Sequence, residues 1–183
     1  MNINEYQNYH ETKAHTSAEF PYNTYLCSIP LDFPGVPLHW HDELELVVIK
    51  KGQGFVSVDF DKRLVHSGDI IIIPPRCLHA IEQDDTFKME YENIIFKPDL
   101  LSSGASDLCM IQYIVPLLDG SLPIEYFLTP ALGSFEALSN CIRQIDLVCA
   151  DQTPGWQLAV KSSLFNFCLL YTSPSPRDMR RSR

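Results

Sequence analysis

The stretch Gly35-Val36-Pro37-Leu38-His39-Trp40-His41-Asp42-Glu43-Leu44-Glu45 decides how this chain is read. In an extended segment, side chains of one parity share a face. His39, His41 and Glu45 are all odd-numbered, so a regular strand turns two imidazoles and a carboxylate to the same side. That is a metal-ligand set. Trp40 has the opposite parity and is expected to pack outside the site. A fourth candidate is His79, which follows Pro74-Pro75-Arg76-Cys77-Leu78 at the start of a later strand. Three nitrogens and one oxygen suit Fe, Mn, Ni, Co or Zn, and residue type does not choose among them. The same four residues also serve as a hydrogen-bonded polar cluster, or as contacts to an organic ligand. His66 is expected at the surface, His10 and His15 in a polar arm, and Asp42, Glu43, Asp84 and Asp85 in solvent.

Around this stretch the pattern is β from Thr24 to Lys97. Leu44–Ile49 reads as a buried strand. Val56, Val58 and Phe60 alternate with Ser57 and Asp59, the period of a half-buried strand. Ile70–Ile73 lies between Gly68-Asp69 and Pro74-Pro75, a turn and a stop. Phe87, Met89 and Tyr91 alternate with Lys88, Glu90 and Glu92, which sends the two glutamates to the opposite face. Short strands spaced about ten residues apart suggest a sandwich or barrel. Residues 1–20 are polar and read as an arm, not an element.

After Pro98 the apolar period becomes helical. Leu108 to Leu118 fit one helix, Leu132 to Val148 a second, and Leu158 to Phe167 a third that opens after Pro154-Gly155. Leu138, Ile142 and Ile145 are the expected dimer seam, with plain core packing as the equal alternative. Between 98 and 170 the basic residues are Arg143 and Lys161 against seven acids, so this part lacks the basic face of a DNA-reading helix.

Composition sets the class. The chain has 183 residues, one domain's worth, and carries a net charge of −9, which excludes a general nucleic-acid-binding surface. No apolar run approaches the roughly 20 residues of a membrane span, so no membrane partner is expected. The N-terminus has neither a basic nor an apolar signal region, and the six cysteines form no C-x-x-C pair. Reduced, mostly buried thiols in a cytoplasmic protein are expected.

The motifs resemble a known family. His39-x-His41-x3-Glu45-x6-Gly52 looks like the first cupin motif, and Gly68-x5-Pro74-x4-His79 looks like the second. Arg76 stands where the second motif has glycine, and Gln83 where it has asparagine. The phrasing Pro37-Leu-His-Trp-His-Asp-Glu-Leu-Glu-Leu46, then Ser67-Gly-Asp-Ile-Ile-Ile-Ile-Pro-Pro75, resembles the cupin sensor domain of AraC-type transcriptional regulators. So do Tyr126–Pro130 and Val160–Leu164; the likeness covers about residues 20–167. It implies a mainly β fold: a double-stranded β-helix (jelly-roll) barrel over 21–97, then about three α-helices over 98–167 for dimerisation and linkage. It also implies a small, sugar-like effector bound at His39, His41, Glu45 and His79. It implies further a homodimer through the C-terminal helices, and DNA contact only through a helix-turn-helix domain missing here. The runner-up is a stand-alone metal-dependent cupin enzyme, a dioxygenase or isomerase; a third reading is a small-molecule-binding cupin without chemistry. No dedicated acid–base pair is apparent, so no catalytic residue is assigned.

The end of the chain changes character. Residues 171–183 hold four Arg and one Asp, a net +3, which leaves −12 on residues 1–170. Residues 168–178 resemble a translated transposon-based sequencing adapter. The expectation is that 168–183 is artefactual and that the natural chain continues beyond about Phe167.

Overall fold

The computed structural model describes residues 3–102, 107–119, 121–122 and 125–172. They fall into two compact units, the first holding the described residues up to 98 and 125–128, the second those from 99 to 122 and 129–172. The first unit is β. Its strands are β1 (Tyr22–Ile29), β2 (Gly35–His39), β3 (Leu44–Val58), β4 (Asp61–His66), β5 (Ile70–Ile73), β6 (His79–Gln83), β7 (Met89–Phe96) and β8 (Phe127–Leu128). A short helix, α1 (Ile3–Gln7), opens the arm that was expected to hold no element.

Every strand pair is antiparallel. One path runs β1-β7-β3-β5-β8; β2 pairs with β6, and β6 and β4 pair with β3. The long β3 therefore serves both sides of the barrel. Its first part, Leu44–Ile49, lies between β7 and β5; its second, Gln53–Val58, lies between β4 and β6. The bend falls at Gly52, where φ is +76° and a Cβ would stand 1.8 Å from the Lys88 carbonyl oxygen. Only glycine fits that approach. Next to it, the β3–β7 register slips between Ile49 and Lys51, a bulge that turns the strand.

Alternation fills the inside. Val47, Ile49, Val56, Val58, Ile71, Ile73, Ile81, Met89 and Tyr91 share one apolar cluster. Three boundaries differ from expectation. The turn after β3 is tighter, with Asp59 and Phe60 at positive φ and Asp61 already in β4. Phe87 precedes β7 and is exposed. β8, within the stretch expected to be helical, is a barrel strand on β5.

The second unit is helical. Leu108–Leu118 is not one regular helix: a π turn over Met110–Ile114 leads into α2 (Val115–Leu118), which has Pro116 in its first turn. α3 (Phe135–Asp151) and α4 (Trp156–Thr172) follow and pack on each other. α3 closes on Gln152 in the left-handed conformation. Its buried positions Phe135, Leu138, Cys141, Ile142 and Ile145 repeat at helical spacing on one face. Leu138, Ile142 and Ile145 are thus sequestered within the single chain, so the expected dimer seam is corrected to core packing. α4 continues through Cys168–Thr172, part of the segment read as foreign, and Cys168 is buried; residues 173–183 lie outside the described residues. The cysteines are free thiols, but only Cys141 and Cys168 are fully buried and Cys109 is exposed.

Candidate functional site

The four expected site residues meet in the barrel, though not along one regular strand. His39 ends β2, His41 sits in the loop after it, and Glu45 belongs to β3. β2 and β6 pair with His39 directly opposite His79. Those two rings stand 4.1 Å apart between centroids, and His41 stands 5.0 Å from His79. Backbone contacts hold the loops in place, since the Arg76 N–H donates to the His41 carbonyl at 2.8 Å. Arg76, the departure from the motif's glycine, adopts the glycine-like conformation with φ of +66°. Its guanidinium meets Asp42 at 2.8 Å, so the loop keeps its shape without glycine.

The ring nitrogens have fixed roles. A carbonyl only accepts, so the Nδ1–H of His39 donates to Pro37 O and that of His79 to Cys77 O, each at 2.9 Å. Both rings then present Nε2 to the interior. His41 turns Nδ1 toward Glu43, 3.6 Å away, and Nε2 toward Glu45. Glu43, expected in solvent, is a correction: it is 6% exposed, folded in behind His41. Glu45 is 3.1 Å from His41 Nε2 and 3.2 Å from His79 Nε2. Glu45 thus faces two buried imidazole nitrogens at once.

This arrangement fits a metal ion. One ligand atom from each of His39, His41 and His79 lies within 4.8 Å of the others. Each outer nitrogen faces a carbonyl or carboxylate, the support that orients metal-bound imidazoles. The electrostatics agree. Burial pushes Glu45 up, but the His41 and His79 imidazoles outweigh it and hold the carboxyl well below its usual range. Burial lowers His79, yet the Glu45 carboxylate raises it on balance. Burial, with repulsion from His79, lowers His39.

These groups line a cavity of about 340 Å³. Its far wall is built by strand register. Across β3, β7 and β1, Val47, Asn93 and Tyr25 form one row, and Ile49, Tyr91 and Cys27 the next. Glu45 opens the series opposite Ile95, so Asn93 stands one row from it, roughly 7 Å, and Tyr91 two rows. Asn93 Oδ1 is buried without a hydrogen-bond partner, and the buried Tyr91 hydroxyl has the Cys27 thiol as its neighbour. Parity along β7 contained that wall.

Glu11, Lys13 and His15 of the arm also line the cavity, and no local pattern announced them. The arm is fastened at Trp40. Tyr6 stacks on the indole at 4.8 Å, the indole N–H donates to Tyr6 O, and the backbone N–H groups of Trp40 and Glu11 bond Tyr9 O and Trp40 O. Trp40 lies outside the cavity lining, as expected, and is buried against Tyr6 and His10 of the arm. His66 is exposed as expected.

Residues 23–167 match the family described as the AraC-like ligand binding domain. The chain belongs to that family. It is 33% identical over 159 residues to the uncharacterized HTH-type transcriptional regulator YdeC of Bacillus subtilis (strain 168), covering 86% of this chain and 54% of that protein. It is 28% identical over 72 residues to the uncharacterized HTH-type regulator YbfI of the same organism, covering 39% and 26%. The chain thus spans about half the length of the first relative and about a quarter of the second. Among solved structures, a cupin protein from Bacteroides fragilis is similar at a TM-score of 0.41 and 24% identity, over 48% of this chain and 80% of that one. The expected AraC-type sensor on a mainly β cupin barrel followed by helices stands. No helix among the described residues is long and apolar enough to cross a membrane.

Proposed function

We propose that this AraC-like domain senses a small, sugar-like effector for a DNA-binding transcriptional regulator, at a centre made by His39, His41, Glu45 and His79. One observation carries the reading. Three imidazoles meet at one side of a cavity of about 340 Å³, with Glu45 against two of them, and the opposite wall offers the Tyr91 hydroxyl and an unpartnered Asn93. Buried polar groups without partners are costly, so a ligand that supplies them is favoured. Asn93 Oδ1 accepts a hydrogen bond from a hydroxyl, and the Tyr91 hydroxyl donates or accepts one. A neutral molecule with several hydroxyls meets both demands within the roughly 7 Å between rows.

The three imidazoles and Glu45 would hold a divalent transition ion, one of Fe, Mn, Ni, Co or Zn. When bound, such an ion acts as a Lewis acid toward a ligand oxygen. The chain's own part is to orient His39 and His79 through the Pro37 and Cys77 carbonyls. In the whole protein, a cytoplasmic homodimer touches DNA through a helix-turn-helix domain beyond this region, and the effector changes that contact. Exposed Leu147, Leu158, Phe165 and Leu169 on α3 and α4 support dimerisation through the helices.

The domain binds without turnover. The second reading, a metal-dependent dioxygenase or isomerase, is favoured by Glu11 and His15. They are hydrogen-bonded at 2.9 Å inside the cavity, a pair suited to general acid–base work. Thermal-shift screening of the full chain against hydroxylated small molecules tests both. The proposal expects a ligand that raises the melting temperature, is recovered unchanged, and loses its effect in His41→Ala. Full affinity in that variant overturns the site, and a chemically altered ligand favours the enzyme.

A further inference from the structure

The arm brings a second carboxylate to the histidine group. Glu11 Oε2 lies 3.4 Å from His39 Nε2. Glu45 faces the other two imidazoles, at 3.1 Å from His41 and 3.2 Å from His79. The two carboxylates therefore approach different members of the same trio, one from a barrel strand and one from the segment laid over its mouth. Glu11 is not loosely placed. The His15 Nε2–H donates to Glu11 Oε2 at 2.9 Å, and the Glu11 backbone N–H donates to Trp40 O at 2.9 Å. His15 in turn packs 5.7 Å from the His41 ring and edge-on to Tyr25.

Charge counting gives the reason. Three neutral imidazoles and Glu45 leave a divalent ion with one uncompensated positive charge, and such a charge in a buried cavity is costly. A second carboxylate removes it. A donor set of three nitrogens and one oxygen also leaves coordination positions open for an oxygen ligand.

We propose that Glu11 is a fifth residue of the metal centre, supplied by the N-terminal arm and positioned by His15. This rests on the metal reading above and goes beyond it, since none of the four motif residues lies in the arm. The ion then ties residues 3–15 to the barrel. An effector that donates two adjacent oxygens to the ion competes with Glu11 for one position.

The test uses the full chain stripped with a chelator and titrated with Co(II) as the probe. Wild type binds one equivalent, with the weak visible absorption of a five- or six-coordinate ion. Glu11→Gln keeps the size and fold, checked by circular dichroism, but binds roughly ten- to a hundredfold more weakly. Its absorption strengthens toward that of a four-coordinate ion. His15→Ala gives a smaller loss of affinity with the wild-type spectrum, as a positioning residue does. Co(II) also slows trypsin cleavage after exposed Lys13 in wild type and leaves it unchanged in Glu11→Gln. A Glu11→Gln variant with wild-type affinity and spectrum overturns the role of Glu11 and leaves the four-residue centre standing. Failure of wild type to bind Co(II), or wild-type binding by His41→Ala, overturns the centre and Glu11 with it.

Discussion

Trp40 is held between Tyr6 and His10, with ring centroids 4.8 and 4.2 Å away. It is 6% exposed and follows directly on His39. Trp40→Ala removes a buried aromatic and is expected to cost about 3–5 kcal/mol, read as a lower urea midpoint. It also frees the arm, so trypsin cuts faster after Lys13; an unchanged midpoint would mean that the arm adds no stability. The proposed metal centre yields its own expectation: EDTA lowers the melting temperature of protein loaded with Co(II), and added Co(II) restores it. At this scale the sequence was legible where residue type carried the chemistry, as at His39, His41, Glu45 and His79. Glu43 and Glu11 were not. A carboxylate's type says nothing about whether a neighbouring ring or arm covers it.

Elements show where local pattern suffices. β5, four isoleucines between a turn and two prolines, forms where the sequence puts it. β3 required more, because its 15 residues serve both sides of the barrel through the bend at Gly52. Gly52→Ala must shift Lys88 or the strand, and a loss above about 1 kcal/mol in urea unfolding is expected. The helices offer a thiol test. Burial pushes the Cys168 thiol up to about 12, while Cys109 is exposed. At a labelling pH of about 8, iodoacetamide should react with exposed Cys109 and leave buried Cys168 unlabelled until the protein unfolds, since only the thiolate reacts. Fast labelling of Cys168 in the folded protein would contradict its burial in α4. The register slip at β2–β6 and the π turn before α2 had no sequence signal, because each is a compromise between neighbouring segments.

The whole chain divides into a β unit that holds the cavity and a helical unit with exposed apolar side chains. If those side chains form the dimer, Leu158→Glu converts dimer to monomer in sedimentation without altering the circular dichroism, since Leu158 is 73% exposed. A variant that sediments as wild type removes α4 from the interface. The sequence by itself determined the alternation that makes the barrel and the helical period after Pro98, and it singled out four residues that the fold brings to one cavity. Periodicity and side-chain type are properties of a single strand or helix. Tertiary structure alone decided that β2 and β6 set His39 against His79, that Trp40 anchors an arm, and that Glu11 and His15 join the cavity. Those facts depend on which distant segments touch, and contact between distant segments is settled by packing the whole molecule.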